Sequence, residues 1–173
     1  MDTSTAIKRI KEHLTDDKVT HSINVADICK KLARFHDIGA EKAWIAGIYH
    51  DIAKNFDTTM ILDLTLNDDT DRFPNIKTMH GVASANFIKK TYKIKDPLIL
   101  EAISNHVIPA EDISILGKIL YIADKLEPEK LYFDDADDLL LQAQEEIDEV
   151  YEKVLNATKK YNAQKNVDQS DLD

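Results

Sequence analysis

The sequence predicts a single all-α domain, and three observations carry that expectation. Apolar residues recur at spacings of three and four along nearly the whole chain. Only four glycines and four prolines punctuate its 173 residues. No window alternates apolar and polar residues between hairpin-forming turn residues, as paired strands require. There are no internal repeats, and the length suits one domain with a sizeable core.

The periodicity places helices over 4–14, 16–36, 40–54, 57–66, 75–93, 96–107, 113–127 and 134–160. The second is expected to stop against Asp37-Ile38-Gly39, with the glycine as its C-terminal cap. Asp96-Pro97 opens the sixth as an N-cap followed by a first-turn proline. Pro109 and Pro128 stop the sixth and seventh. The last segment, FDDADDLLLQAQEEIDEVYEKV, sets Leu140, Ile147, Val150 and Val154 on one side of an otherwise acidic helix. That pattern reads as an amphipathic helix docked on the domain with a solvated acidic face. The expected organisation is a principal domain over 1–130, the acidic helix over 131–162 and a polar, disordered tail over 163–173.

The formal charge of −10 argues against broad nucleic-acid or anionic-membrane binding, which needs basic surface. It leaves room for a small anionic ligand, because a metal ion and a few lysines can dominate a local field. No apolar run approaches the ~20 residues of a membrane span. The N-terminus MDTSTAIKRIKEHL reads as the start of a helix rather than a signal segment. The single cysteine, Cys29, fits a reducing cytoplasm.

The chemistry lies in residues that do not suit a core. His13 and His36 sit near helix ends among charged neighbours and read as exposed. The other four histidines fall on apolar faces. His21 is in phase with Val25, Ile28, Leu32 and Phe35. His50 follows Ala43, Ala46 and Gly47, and Asp51 follows Trp44, Gly47 and Ile48. His80 leads Ala83, Ser84 and Phe87; His106 follows Ile99, Ala102 and Ile103; Asp124 follows Gly117, Leu120 and Tyr121.

Taken singly, each residue has an ordinary structural explanation. Four imidazoles and two carboxylates turned inward from five helices are costly to bury unless a cation neutralises them. A divalent metal does so, and His/Asp ligation suits iron, manganese, zinc, nickel or cobalt better than calcium or magnesium. Helical bundles build such sites from side chains on facing helices. The small residues Ala46, Gly47, Gly81 and Gly117 would let those helices approach closely. Six ligands favour two metals, and Asp51 has two oxygens with which to bridge ions roughly 3.5–4 Å apart.

The ordered set His21, His50-Asp51, His80, His106 and Asp124 resembles the HD-domain superfamily of metal-dependent phosphohydrolases. Within it the chain looks most like the YqeK-type branch, the bacterial symmetrical diadenosine tetraphosphate hydrolases. The matching stretches are KVTHSINVADICKKLA, AGIYHDIAK, MHGVASA, IKDPLILEAISNH and KILYIADKLEP. They span roughly 16–130, so the resemblance makes 1–130 an HD domain; the acidic helix has no counterpart in it. The resemblance implies a compact helical bundle around a two-metal centre, with His21, His50, Asp51 and Asp124 on one ion. Asp51, His80 and His106 would hold the second, Asp51 bridging. It further implies iron and a homodimer.

The chain departs from the family pattern at Lys18 and Lys130, where arginine is usual, and at Val107-Ile108-Pro109, where a Thr-Thr-Gly-like turn is common. Lysine keeps the charge but loses bidentate phosphate recognition.

The expected chemistry is metal-assisted hydrolysis of a phosphoanhydride in a nucleotide polyphosphate, giving two ADP from diadenosine tetraphosphate. Asp51 and Lys54 are the expected catalytic residues. Lys18, Lys54, Lys118, Lys125 and Lys130 are phosphate-contact candidates. The alternatives are another HD phosphohydrolase acting on mononucleotides or a signalling nucleotide, an HD-type di-iron oxygenase, and a non-enzymatic helical module.

Overall fold

A computed structural model describes residues 2–128 and 133–170, with side chains as far as residue 164. Every regular element among these residues is helical. In order they are α1 (Thr3–Lys11), α2 (Asp16–Ala33), α3 (Ala40–Tyr49), α4 (Thr58–Thr65), a short 3-10 helix (Ile76–Met79), α5 (His80–Thr91), α6 (Pro97–Asn105), α7 (Ile115–Lys125), α8 (Ala136–Gln142) and α9 (Ile147–Ser170). Side-chain caps set several starts. Asp2, Asp57 and Ser114 accept backbone N–H bonds from Thr5, Met60 and Gly117. Asp96 accepts from Leu98 and Ile99, with Pro97 in the first turn as expected.

α2 lies against α3, and both meet α7; α6 packs on α3, α5 and α7, and α9 lies along α7. The main core contains Ile10, Val25, Ala26, Ile48, Ile52, Ile103, Leu116, Leu120 and Val154, all buried. Ala53, Ile61, Phe73, Met79, Val82 and Ala83 form a smaller cluster under α4. Two glycines make the closest crossings possible. A Cβ on Gly47 would lie 2.5 Å from the Ala26 Cα, and one on Gly81 would lie 2.9 Å from the Ile103 carbonyl oxygen. No helix among the described residues is long and apolar enough to cross a membrane.

Several boundaries differ from the sequence expectation. α2 stops at Ala33, leaving Phe35 56% exposed and Ile28 half-buried rather than completing the buried stripe. Asp37, not Gly39, takes the left-handed conformation (φ 58°), while the Ile38 N–H closes onto the Ala33 carbonyl. Aspartate tolerates that conformation better than most residues. Gly39 instead precedes α3. α3 ends at Tyr49, and the chain continues through i→i+3 bonds from Ile52, Lys54 and Phe56. The 75–93 segment divides, so that His80 begins α5.

The acidic segment is two helices, not one. Buried Ala143 is the C-cap of α8, and its carbonyl accepts a 2.6 Å bond from His36 Nε2. That bond occupies the acceptor a continuous helix would offer to residue 147. His36 is therefore half-buried, as is His13, which meets the edges of Phe56 and Phe87. Neither matches the expected exposure. In the acidic segment Leu139, Ile147, Val150 and Val154 are buried, while Leu140 is half-buried. α9 runs to Ser170, past residue 163 where the polar tail is expected to begin.

Candidate metal centre

Five helices deliver the inward polar residues to one point, three of them from helix ends. His21 comes from the body of α2 and Asp124 from that of α7. His50 caps the C-terminus of α3, with Asp51 next in the chain. His106 caps α6, and His80 is the first residue of α5. His50, Asp51, His106 and Asp124 are buried, His21 nearly so, and His80 forms the more open edge.

Asp51 is the hub. Its Oδ1 lies 3.1 Å from His80 Nε2 and 3.2 Å from His106 Nε2. Its Oδ2 lies 3.5 Å from His50 Nε2 and 2.8 Å from Lys54 Nζ. Asp124 is a second focus: its Oδ1 lies 3.1 Å from His21 Nε2 and 3.6 Å from His50 Nε2. The imidazoles run in a chain of edge contacts, His21–His50–His106–His80, with centroids 4.9–5.2 Å apart. Two triads, His21/His50/Asp124 and His50/Asp51/His106, each have donor atoms within 4.8 Å of one another.

The far sides of the rings reveal what the near sides are for. Nδ1 of His50, His80 and His106 each sits 2.7 Å from the carbonyl three residues earlier, on Gly47, Lys77 and Ile103. A carbonyl only accepts, so each Nδ1 carries the hydrogen. In the neutral tautomer each Nε2 is then a lone pair, and all three face carboxylate oxygens. Lone pair against lone pair repels unless a cation lies between. Nε2 of His50 is buried with no hydrogen bond at all. His21 is held differently: its Nδ1 lies 3.3 Å from Glu127 Oε2, while Glu127 Oε1 accepts from Asn24 Nδ2 at 2.8 Å.

The electrostatics agree. Burial pushes His106 down to about 3, outweighing the pull of Asp51, with His50 and His80 adding to the depression. Burial alone would raise Asp51, but protonated rings at His50, His106 and His80 together with the Lys54 ammonium hold it well below the ordinary carboxylate range; where those rings are neutral, a cation has to take their place beside it. A neutral imidazole beside an ionised carboxylate is the protonation state that ligates a divalent ion. Outer hydrogen bonds that fix ring orientation, as here, accompany metal-binding histidines. The donor set fits divalent metal ions.

The lysines divide. Lys54 reaches Asp51, and Lys125 mirrors it, with Nζ 2.5 Å from Asp124 Oδ2 over the Tyr121 ring. Lys18 bonds Asn55 Oδ1 at 2.6 Å, one residue from Lys54. Lys118 turns to α9, where it bonds Asp148 at 2.6 Å and lies near the Tyr151 ring. Lys130 lies outside the described residues. Sequence reasoning passed over Glu127 and Asn24 as functional residues. Asn24 lies three positions after His21 on the same face of α2, and that spacing is a signal for it. Glu127 lies three positions after Asp124 but beyond the end of α7, where helical phase does not mark it.

The HD domain family model matches residues 19–129 of this chain. The probable nicotinate-nucleotide adenylyltransferase/Ap4A hydrolase of Mycoplasma genitalium is 33% identical over 125 residues, which cover 72% of this chain and 36% of that protein. The match thus spans about a third of that relative's length. The symmetrical bis(5'-nucleosyl)-tetraphosphatase of Halalkalibacterium halodurans is 29% identical over 135 residues, covering 76% of this chain and 72% of that one. A crystal structure from Clostridium acetobutylicum, described as a predicted HD superfamily hydrolase involved in NAD metabolism, aligns with a TM-score of 0.85 at 29% identity. That alignment covers 96% of this chain and 89% of the other.

Proposed function

The chain belongs to the HD domain family, and from that premise we propose that it hydrolyses diadenosine tetraphosphate symmetrically, giving two molecules of ADP. The observation that carries the reading is the placement of Asp51: one buried carboxylate addresses His80 and His106 through one oxygen, His50 and Lys54 through the other. The names of the Mycoplasma genitalium and Halalkalibacterium halodurans relatives support this substrate.

His21, His50, Asp51 and Asp124 would hold one ion, and Asp51, His80 and His106 the other, with iron as the resident metal. Bound there, such a pair supplies Lewis-acid activation of a water and neutralises charge on phosphoryl oxygens. The chain's own residues do the rest. The i−3 carbonyl bonds lock three imidazoles in the ligating tautomer, and Glu127 orients His21. Buried walls exclude bulk water and so strengthen each charge interaction. Lys54 stands at the half-open rim, where its ammonium would donate to a central phosphate and offset charge as the phosphoanhydride bond breaks. Lys18 and Lys125 stand nearby as further phosphate contacts. Water oxygen joins one of the two central phosphorus atoms, the bridging P–O bond cleaves, and the departing oxygen remains on the second ADP.

An acidic protein can bind such a polyanion because the cations are local, while the stretch 134–152, with nine Asp or Glu and no Lys or Arg, supplies most of the net charge. We also propose a cytoplasmic homodimer, to be read by light scattering of the purified protein. The decisive assay incubates metal-replete protein with diadenosine tetraphosphate and separates the nucleotides. ADP as sole product is the expected result; ATP plus AMP, or orthophosphate from mononucleotides alone, overturns it. Asp51→Ala should abolish metal binding and turnover, and an active, metal-bound variant would sink the bridging role.

A further inference from the structure

Two clefts open beside the metal centre, and Lys54 lines both. The first, of 340 Å³, is bounded by Lys54, Thr78, Lys125, Phe133, Thr158 and Tyr161. The second, of 460 Å³, is bounded by Lys54, Phe56, Thr58, Ile76, Lys77 and His80. The 3-10 helix contributes Lys77 to one and Thr78 to the other, so it forms the ridge between them together with Lys54. Each cleft thus combines a shared cation at the rim of the centre, a second lysine of its own, and aromatic or aliphatic surface further out.

That doubled arrangement matches a molecule with two apolar, stackable ends joined by an anionic middle. We propose that the two clefts are paired nucleoside subsites: Phe133 and Tyr161 receive one base, and Phe56 and Ile76 receive the other. The inference rests on the hydrolase reading above and adds to it the reason cleavage is symmetrical. With a nucleoside seated on each side of the ridge, the middle of the phosphate chain crosses Lys54 and the metal ligands. The phosphates of one half run past Lys125, those of the other past Lys77. The inference also gives α9 a task that sequence reading left open, since Thr158 and Tyr161 of that helix wall the first cleft. Tyr161 is 44% exposed there, as a stacking platform must be before its base arrives. A third cavity, lined by Tyr121, Tyr151, Glu111, Glu152 and Lys159, includes neither Lys54 nor any metal-centre residue and so lies off the path of a phosphate chain that crosses the centre.

Calorimetric titration of ADP, one half of the proposed substrate, into the metal-loaded protein tests the assignment. The expected stoichiometry is two ADP per chain. Tyr161→Ala should weaken one of the two sites about tenfold, the scale of a lost base stack. Thr58→Trp, which fills the second cleft from an exposed position, should weaken the other to a similar extent. Each variant should raise KM for diadenosine tetraphosphate about tenfold while retaining the metal content of the wild type. A single ADP per chain in the wild type, or two ADP affinities that neither variant shifts, overturns the two-subsite inference. Hydrolysis of diadenosine tetraphosphate by the wild type is measured separately; its absence removes the catalytic reading, whatever the ADP stoichiometry.

Discussion

His106 Nε2 lies 3.2 Å from Asp51 Oδ1 while its Nδ1–H is committed to the Ile103 carbonyl 2.7 Å away. Burial keeps this imidazole neutral, so the atom facing the carboxylate is a lone pair. The pair makes physical sense as two ligands of one cation. His106→Ala is therefore expected to weaken binding of that ion by more than about 100-fold, beyond the usual cost of losing an outer partner. Metal analysis after gel filtration should find less metal per chain, with turnover lost in parallel. Full metal content in the variant would remove His106 from the ligand set.

Glu127 is buried behind His21 and holds its Nδ1 at 3.3 Å. Glu127→Gln is expected to lower metal affinity about 10-fold and Glu127→Ala about 100-fold, because the ring loses its orientation and some basicity. Competition with a chelator measures this directly. Equal affinities in all three proteins would make Glu127 a purely structural residue.

Lys54 contacts Asp51 but is itself exposed. Lys54→Ala should leave both metals bound and reduce kcat by about 10²-fold, the scale of losing one charge-stabilising donor. Lys54→Arg should recover part of the rate. A kcat equal to that of the wild type would return Lys54 to the role of an ordinary surface cation.

Gly47 places α3 against α2, where an added Cβ would meet the Ala26 backbone at 2.5 Å. Backbone cannot rotate aside as a side chain can, so Gly47→Ala should force the helices apart and destabilise the fold by about 1–3 kcal/mol. His50 and Asp51 follow three and four residues later, so the same shift should weaken metal binding. Denaturant unfolding of the metal-free protein tests the first effect; an unchanged midpoint would contradict the crossing.

Asp96 caps α6 and pairs with Lys42 at 2.8 Å. The Lys42 bond, helped by the Leu98 and Ile99 amides, lowers its carboxyl below the ordinary 3.8. With the folded value depressed, the unfolded chain takes up this proton first as pH falls. The stability it contributes is thus present above 3.8 and lost as pH drops below that value. Asp96→Asn keeps a cap acceptor but removes the charge. The stability difference between wild type and variant should be largest near neutrality and shrink below pH 3.8. A difference independent of pH would assign the whole effect to the cap.

The helical class and the identities of the six inward His and Asp residues were legible in the sequence, because both depend on periodicity and on the cost of burying charge. Asp96-Pro97 was legible for the same local reason. Helix ends were less so. A 3.6-residue pattern continues through Tyr49 into Asp51, yet the backbone tightens there into i→i+3 turns. The acidic segment reads as one helix because its apolar residues keep phase, but the His36 bond to the Ala143 carbonyl is a contact from 107 residues away. No local pattern encodes it.

The sequence by itself determined which residues are too costly to bury unless a cation joins them. Only the tertiary structure decided that Asp51 turns one oxygen to His80 and His106 and the other to His50 and Lys54, that Glu127 stands behind His21, and that Lys118 faces α9. The physical reason is that desolvation cost belongs to a residue's own chemistry and shows in its helical phase. Which atoms then meet depends on how helices cross, and those crossings are set by close approaches such as Gly47 on Ala26 between segments far apart in the chain.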